Sequence, residues 1–496
     1  MMTLRLGLAL SLLCLCAFAN PRPAAAETDS AKGLPAISLS LNEIHAWIDR
    51  SHPLLKGAVT EKTMARGRML KALGAFEPTL INDTEIERFI DKGTGQTLNG
   101  GFNDTLIEAR DPMGFRYSAG VRTALGTEAK IPDLAFGPNN QQQVILGGFF
   151  PLLKGLMVNP EKAELQRSEL ADPRADVRIA QTRQDLFLAA ATQFWDWVAA
   201  VRYVDMQRKA LKVAEDRFKQ VEGRAKAGAV APLDVVEANQ EVQRRREVAI
   251  AAQRQVEQEQ FKLSMFLWEN NAPTLPAIDR APEFPAQTLS PSPSPDTVQA
   301  HKLQARNERP EIKEITIEAK LNDIDLELAK NNLLPSLDAE AAPARAPEKF
   351  VLGLGYRFGL ELKIPLLQRK SRGEVLEAQG KADRFVMVQK FREQQVVIDV
   401  DNALSAIERA KERMEAAVQS LRLAKTLEEG ERFRFSLGAT SILFVNLRER
   451  NSVDSEAQVI RAKADYQKAL ALYQWAIGAW ASGTPGPTPV NYRARD

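Results

Sequence analysis

The sequence predicts an α+β membrane protein in which long α-helical hairpins and transmembrane β-strands are laid down in two internal repeats. Three observations predict it. Short motifs recur in the same order at nearly constant offsets. Two heptad-patterned runs are far longer than a globular helix. One strand alternates strictly between apolar and small or charged residues over more than a bilayer's depth.

The duplication comes first, because a missed repeat misassigns every local motif. His52-Pro53-Leu54 returns as Arg309-Pro310-Glu311, and Glu77-Pro78-Thr79-Leu80 returns as Leu334-Pro335-Ser336-Leu337, both offset by 257 residues. Phe150-Pro151-Leu152-Leu153 returns as Ile364-Pro365-Leu366-Leu367 at offset 214, and Gly228-Ala229 as Gly438-Ala439 at offset 210. A chain of 496 residues would otherwise be divided into about three domains. Two blocks around a shared axis fit the repeat better.

Charged residues make up 26% of the chain and the net charge is +2, which gives no electrostatic case for nucleic acid. The mean hydropathy of −0.28 excludes a bundle of transmembrane helices but not a β-barrel, whose alternating strands average out. At the N-terminus, Arg5 precedes the apolar run Leu6 to Phe18, followed by Pro21, Pro23 and Ala24-Ala25-Ala26. That order predicts a signal peptide, residues 1–26, cleaved after Ala26. The run is too short for a membrane anchor. Both cysteines, Cys14 and Cys16, fall inside it, so the mature chain is expected to lack thiols, lipid and a disulfide framework.

The helices follow. Val400, Leu404, Ile407, Lys411, Met414, Val418 and Leu421 are spaced 4-3-4-3-4-3, a heptad seam with one charged interruption. The first block carries the matching seam Ala190, Phe194, Trp197, Val201, Val204, Arg208 and Leu211. The patterns run from about Glu161 to Lys226, with a kink expected at Pro173, and from about Glu374 to Arg434. At 1.5 Å per residue these are rods of roughly 90–100 Å. Each ends near a glycine, Gly228 or Gly438, as helix C-termini do. A return helix starts at once, at Pro232-Leu233-Asp234 or Ser441-Ile442-Leu443. The return arms run to about Trp268 and Trp480.

The strands break this pattern. Phe350, Leu352, Leu354, Tyr356, Phe358, Leu360, Leu362 and Ile364 share one face. Val351, Gly353, Gly355, Arg357, Gly359, Glu361 and Lys363 share the other. The run exceeds the 9–11 residues of a tilted membrane strand. Leu337, Ala339 and Ala341 form a hairpin partner upstream. In the first block Phe115 to Leu125 alternates likewise, and Gln143 to Phe150 is a less regular strand. Asp91 to Met113 and Lys130 to Gln142 are rich in Gly, Asn and Asp and are expected to be loops. Pro273 to Pro295 reads as an extended Pro/Ser connector. The divisions are therefore 1–26 signal peptide, 27–270 first repeat, 271–300 connector, 301–481 second repeat and 482–496 flexible tail. Strands with lipid-facing and lumen-facing sides, joined to rods near 100 Å, describe a pore that continues into a tunnel.

Taken in order, Pro53 and Pro310, Pro78 and Pro335, Pro151-Leu152-Leu153 and Pro365-Leu366-Leu367, and the turns Arg224 to Asp234 and Arg434 to Phe444 resemble the TolC-like outer-membrane efflux family across nearly the whole mature chain. The resemblance implies a homotrimer whose strands form one shared transmembrane β-barrel in outer-membrane lipid and whose helices form a periplasmic tunnel. It also implies docking to a periplasmic adaptor (membrane fusion protein) and an inner-membrane pump. A passive export duct for small molecules or polypeptides follows, serving a tripartite efflux or type I secretion system.

The family often gates its periplasmic end with acidic residues just past the tip glycine. Here the first copy offers Asp234 and Glu237, whereas the second offers Phe444 and Leu447, with Asn446 and Glu449 nearby. The chain departs from acid where the ring would be narrowest. Phenylalanine and leucine there would gate by dewetting, unless they are plain seam residues of the return helix. The tips Gly228-Ala229-Val230 and Gly438-Ala439-Thr440 are the expected adaptor contacts, small enough for close approach.

No catalysis, cofactor or metal is expected. Only His45, His52 and His301 occur, far apart, with no mature cysteine, which leaves no zinc or nucleophile constellation. Gly353, Gly355 and Gly359 lie inside a strand at the wrong spacing for a dinucleotide loop. The competing reading is a periplasmic coiled-coil adaptor or structural protein that never enters a membrane. It would show one hairpin flanked by compact β domains.

Overall fold

The computed structural model describes residues 38–90, 93, 95–125, 130–131, 134–135, 142–285, 294–343, 356–481 and 483. The leader, residues 350–355 of the alternating strand and the tail from 484 onward lie outside the described residues. The first half runs α1 (Leu41–Ser51), α2 (Pro53–Leu73), β1 (Thr79–Ile90), β2 (Thr97–Arg110), β3 (Arg116–Leu125), β4 (Gln142–Pro151), α3 (Pro160–Glu169), α4 (Ala171–Lys226) and α5 (Pro232–Ser264). The second runs α6 (Pro295–Glu308), α7 (Pro310–Asn331), β5 (Ser336–Pro343), β6 (Tyr356–Lys363), α8 (Arg369–Ser436) and α9 (Ile442–Ala476). The same succession of helix pair, strands, rod, turn and return helix occurs in both.

The rods form where the heptads predict them. α8 has 68 residues and α4 has 56, about 100 Å and 85 Å. The expected kink falls at Leu170, three residues before Pro173, where α3 ends and α4 begins. Proline lacks an N–H and its ring crowds the carbonyl four residues back, so the helix breaks one turn upstream of it. In α4 the seam is core: Ala190, Phe194, Trp197, Val201 and Val204 are buried with Leu186, Phe187 and Val198. In α8 Val400 and Met414 are buried, but Val418 emerges. Among the described residues no helix is long and apolar enough to cross a membrane.

The main core joins α1, α2, α4 and α5, with Trp480 packed against it from beyond α9. His45 stacks on Phe187 at 4.0 Å between ring centroids. Burial lowers its pKa to about 4; the charge of Arg183 adds to this, and a backbone hydrogen bond at Phe187 opposes it. The unfolded chain therefore takes a proton near pH 6.5 that the folded chain refuses until about pH 4. This group's contribution is complete above pH 6.5 and is lost as the pH falls toward 4. We expect His45→Phe to remove on the order of 2 kcal/mol of that acid sensitivity. Parallel melting curves at pH 7 and 4.5 check it, and an equal acid-induced loss in both proteins would refute it.

The six strands make one antiparallel sheet in sequence order, β1 to β6. One prediction is corrected here: residues 97–110, expected within a loop, form β2, which pairs with both β1 and β3. Its polar residues Asn103, Asp104 and Thr105 find partners across strands. Asn103 and Asn82 exchange amide bonds at 3.1 and 3.2 Å, and Thr84 and Thr105 accept from them. Asp104 holds Arg122 through two bonds. Polarity that a lone segment would give to water is here spent on neighbours. The described first half of the connector packs against the helical core: Ala281 is buried in it and Phe284 stacks on Trp195.

Candidate functional site

The two hairpin tips are built by one backbone device. Gly228 and Gly438 have φ of +73° and +71°, the left-handed region that glycine enters without a Cβ penalty. Gly228 N–H donates to the Ala225 carbonyl and Ala229 N–H to Arg224; Gly438 and Ala439 donate likewise to Phe435 and Arg434. This double bond pattern closes each helix's free carbonyls. Gly228, Ala229, Gly438 and Ala439 are exposed, while Val230 and Thr440 are half-buried.

Beyond the turns the copies diverge. Asp234 turns back and accepts from the Ala231 N–H at 3.2 Å, capping its own helix. Glu237 is half-buried one turn on. Ser441 occupies the start of α9 in extended backbone, but its hydroxyl makes no capping bond. Phe444 and Leu447 are 53% and 45% exposed. They are not in the seam within the chain; that stripe is Ile442 and Val445, both buried. Ile442 packs against Val221 and Ala238 of the first hairpin, so the second tip leans on the first.

Asn446 lies on the buried side, and its side-chain oxygen accepts from Arg217 of α4 at 3.3 Å. Arg217 also forks onto Glu449 of α9. Glu449 accepts in addition from Arg432 of α8 at 2.9 Å. One turn away Glu241 of α5 accepts from Arg245 at 2.9 Å and from Arg450 of α9 at 2.5 and 3.0 Å. Glu241, Arg245 and Glu449 are buried. Two carboxylates thus tie α4, α5, α8 and α9 together just behind the tips. The sequence points to Asn446 and Glu449 beside the second tip but not to Arg217, Glu241 or Arg450. A signal existed: Glu449 continues the three-and-four spacing of Ile442 and Val445, placing a charge on an apolar stripe.

At the far end the sheet has two unlike faces. Phe358, Leu360 and Leu362 stand 58–61% exposed on one side, along with Leu80, Ile86, Ile107 and Tyr117. The register places Asp83, Asp104, Arg122, Arg116, Asp338, Glu361 and Lys363 on the other. Among the described residues no group of three His, Cys, Asp or Glu is placed to hold a metal ion.

This arrangement has known counterparts. The chain aligns over 94% of its length, and 99% of the other, with the outer-membrane channel OprN at 15% identity and TM-score 0.66. A membrane protein from Pseudomonas aeruginosa aligns at 18% identity over 92% of this chain and 99% of that one, TM-score 0.65. The Campylobacter jejuni CmeC outer-membrane channel aligns at 12% identity over 95% and 96%, TM-score 0.65. In sequence, nodulation protein T of Rhizobium leguminosarum bv. trifolii is 23% identical over 420 residues, 81% of this chain and 87% of the relative. No protein-family model matches the chain. At the level of fold the TolC-like resemblance holds: the chain has the fold of these outer-membrane channels.

Proposed function

We propose, from the fold it shares with outer-membrane channels, that the protein is the outer-membrane exit duct of a tripartite efflux or type I secretion system. It is a passive conduit and carries out no catalysis. The observation that carries this reading is the two-faced sheet set on two helical rods. A row of exposed Phe358, Leu360 and Leu362 suits lipid, while the charged face suits an aqueous lumen. The rods, about 85 and 100 Å long, extend from the outer membrane through the periplasm toward a periplasmic adaptor and an inner-membrane pump. Three copies share the barrel. The exposed tips Gly228-Ala229-Val230 and Gly438-Ala439-Thr440 take the adaptor.

The periplasmic constriction is assigned to Phe444 and Leu447, with Asn446 behind them and Asp234 and Glu237 on the neighbouring hairpin. A ring of apolar side chains narrows such a pore by excluding water. Exposure of Phe444 and Leu447 in the single chain supports this over a seam role.

Fractionation tests the main reading. An SDS-resistant, heat-modifiable trimer in the outer membrane is expected; the mature chain found only in the soluble periplasm would sink it. For the gate, Phe444→Asp should raise single-channel conductance and introduce block by multivalent cations. Unchanged conductance and block would remove Phe444 from the gate.

A further inference from the structure

We propose that the link between β6 and α8 binds anionic phospholipid in the leaflet that faces the periplasm. Leu366 and Leu367 enter the acyl edge, and Arg369, Lys370 and Arg372 hold the headgroups beside it. The proposal rests on the outer-membrane reading above and adds a lipid class to it.

The apolar half comes from the strand. Phe358, Leu360, Leu362 and Ile364 form one row along β6 and its continuation, each 57–61% exposed. Side chains two apart in an extended chain share a face, so Leu366 prolongs that row toward the helices. It is 93% exposed, more than any other large apolar side chain among the described residues, and Leu367 is 63% exposed. The backbone holds the pair out. Gln368 sits at φ +48°, a region that a residue with a Cβ seldom enters. Its side-chain amide donates to the Leu333 carbonyl at 3.1 Å, and its own carbonyl accepts from the Arg372 N–H at 2.9 Å. A leucine held in water forgoes the transfer free energy that lipid supplies.

The repeat supports this placement. Leu152, the counterpart of Leu366, is 42% exposed and continues the row of Phe150, with its N–H bonded to the Leu337 carbonyl at 2.7 Å. Nearby, Met157 N–H donates to the Met113 carbonyl, and these two side chains are 49% and 42% exposed. Exposed apolar side chains thus gather at the helical end of the sheet in both copies.

The charged half belongs to the second copy alone. Lys154 of the first copy lines a cavity with Arg110 and Arg116, on the charged side of the sheet. In the second copy Arg369, Lys370 and Arg372 are exposed at the start of α8. Among the described residues the one ion pair these cations make is Lys370 with Glu374, at 4.0 Å. Local structure does not call for them: the first turn of a helix favours acids, and that of α8 has none. An anionic surface beside the exposed leucines supplies the missing counter-charge. Each basic residue near such a surface adds to the attraction, and long basic side chains reach along the chain to headgroup level.

Fluorescence quenching tests the proposal on the purified full-length protein, reconstituted into vesicles of mixed phosphatidylcholine and phosphatidylglycerol. A bimane probe is placed on Leu366→Cys, with Phe358→Cys as the control on the barrel face; the native cysteines are confined to Cys14 and Cys16. Acyl-brominated phosphatidylglycerol should quench the Leu366 probe several-fold more strongly than equally brominated phosphatidylcholine. Combining Arg369→Gln, Lys370→Gln and Arg372→Gln should make the two lipids equal. High salt should do the same with the three cations intact, a readout that does not depend on how the triple variant folds. Equal quenching by the two lipids at low salt would overturn the headgroup assignment. A Leu366 probe that neither lipid quenches, beside a quenched Phe358 probe, would put Leu366 in water or against a neighbouring copy and would also overturn it. If neither probe is quenched, the barrel reading itself fails.

Discussion

Replacing Glu449 by alanine is expected to open the periplasmic end, raising single-channel conductance several-fold in planar bilayers. Glu449 is buried and receives Arg217 from α4 and Arg432 from α8. Without the carboxylate, Arg217 keeps only the Asn446 oxygen within the cluster. Breaking a buried pair by removing one partner costs about 3–5 kcal/mol, because the remaining charge is left without compensation. A dilated tip relieves that cost by letting water reach the guanidinium groups. The variant's closed tip is thereby disfavoured relative to a dilated one. Glu449→Gln keeps an acceptor and should give a smaller increase. Glu241→Ala frees Arg450 and should act in the same direction. If the two ties act as one latch, the double variant should fall short of the sum. Conductance equal to the parent in Glu449→Ala would show that the cluster does not hold the tip closed.

Trp197→Ala is expected to cost about 3–5 kcal/mol, the usual range for deleting a fully buried aromatic side chain. Trp197 is completely buried, its ring 6.1 Å from that of Phe194, in the cluster that joins α1, α2, α4 and α5. Its indole N–H has no hydrogen-bond partner among the described residues. The residue therefore acts through volume alone, and Trp197→Phe should cost much less, by filling most of the space without burying an unpaired donor. Thermal unfolding of the purified protein separates the two. Similar losses in both variants would mean that the indole nitrogen contributes after all.

The rods and turns were legible in the sequence because their physics is local. A seven-residue period fixes one helix face, and glycine is the residue that enters left-handed backbone without strain, so Val400, Trp197, Gly228 and Gly438 could be placed from spacing alone. The first hairpin of the sheet was not legible. Asn82, Asn103, Thr105 and Asp104 look like loop residues until their partners on the adjacent strands are known, and period two fails when polar side chains pair with one another. The buried ties behind the tips were hidden for a related reason. Arg217 and Glu449 stand 232 positions apart, and no spacing rule connects them. Phe444 and Leu447 were singled out by comparing the two copies, and their exposure shows only that the seam within this chain runs elsewhere.

The join between β4 and β5 has a consequence for how the chain folds. Every other contact between neighbouring strands of the sheet closes a loop of modest length. This one pairs Phe150 with Ala339 and is held at only four positions. Contacts so distant in sequence carry the largest chain-ordering cost and tend to form late. The sheet should therefore assemble as a four-stranded block and a separate hairpin, each able to form while the rods are still coiling. The seam between them would fasten last, so that β-structure is completed only once the first helical hairpin, which lies in the loop the seam closes, is in place. Pulsed hydrogen exchange reads that order directly, since the Leu152 amide, bonded to Leu337 across the seam, should gain protection after those within β2 and β3; simultaneous protection would contradict it.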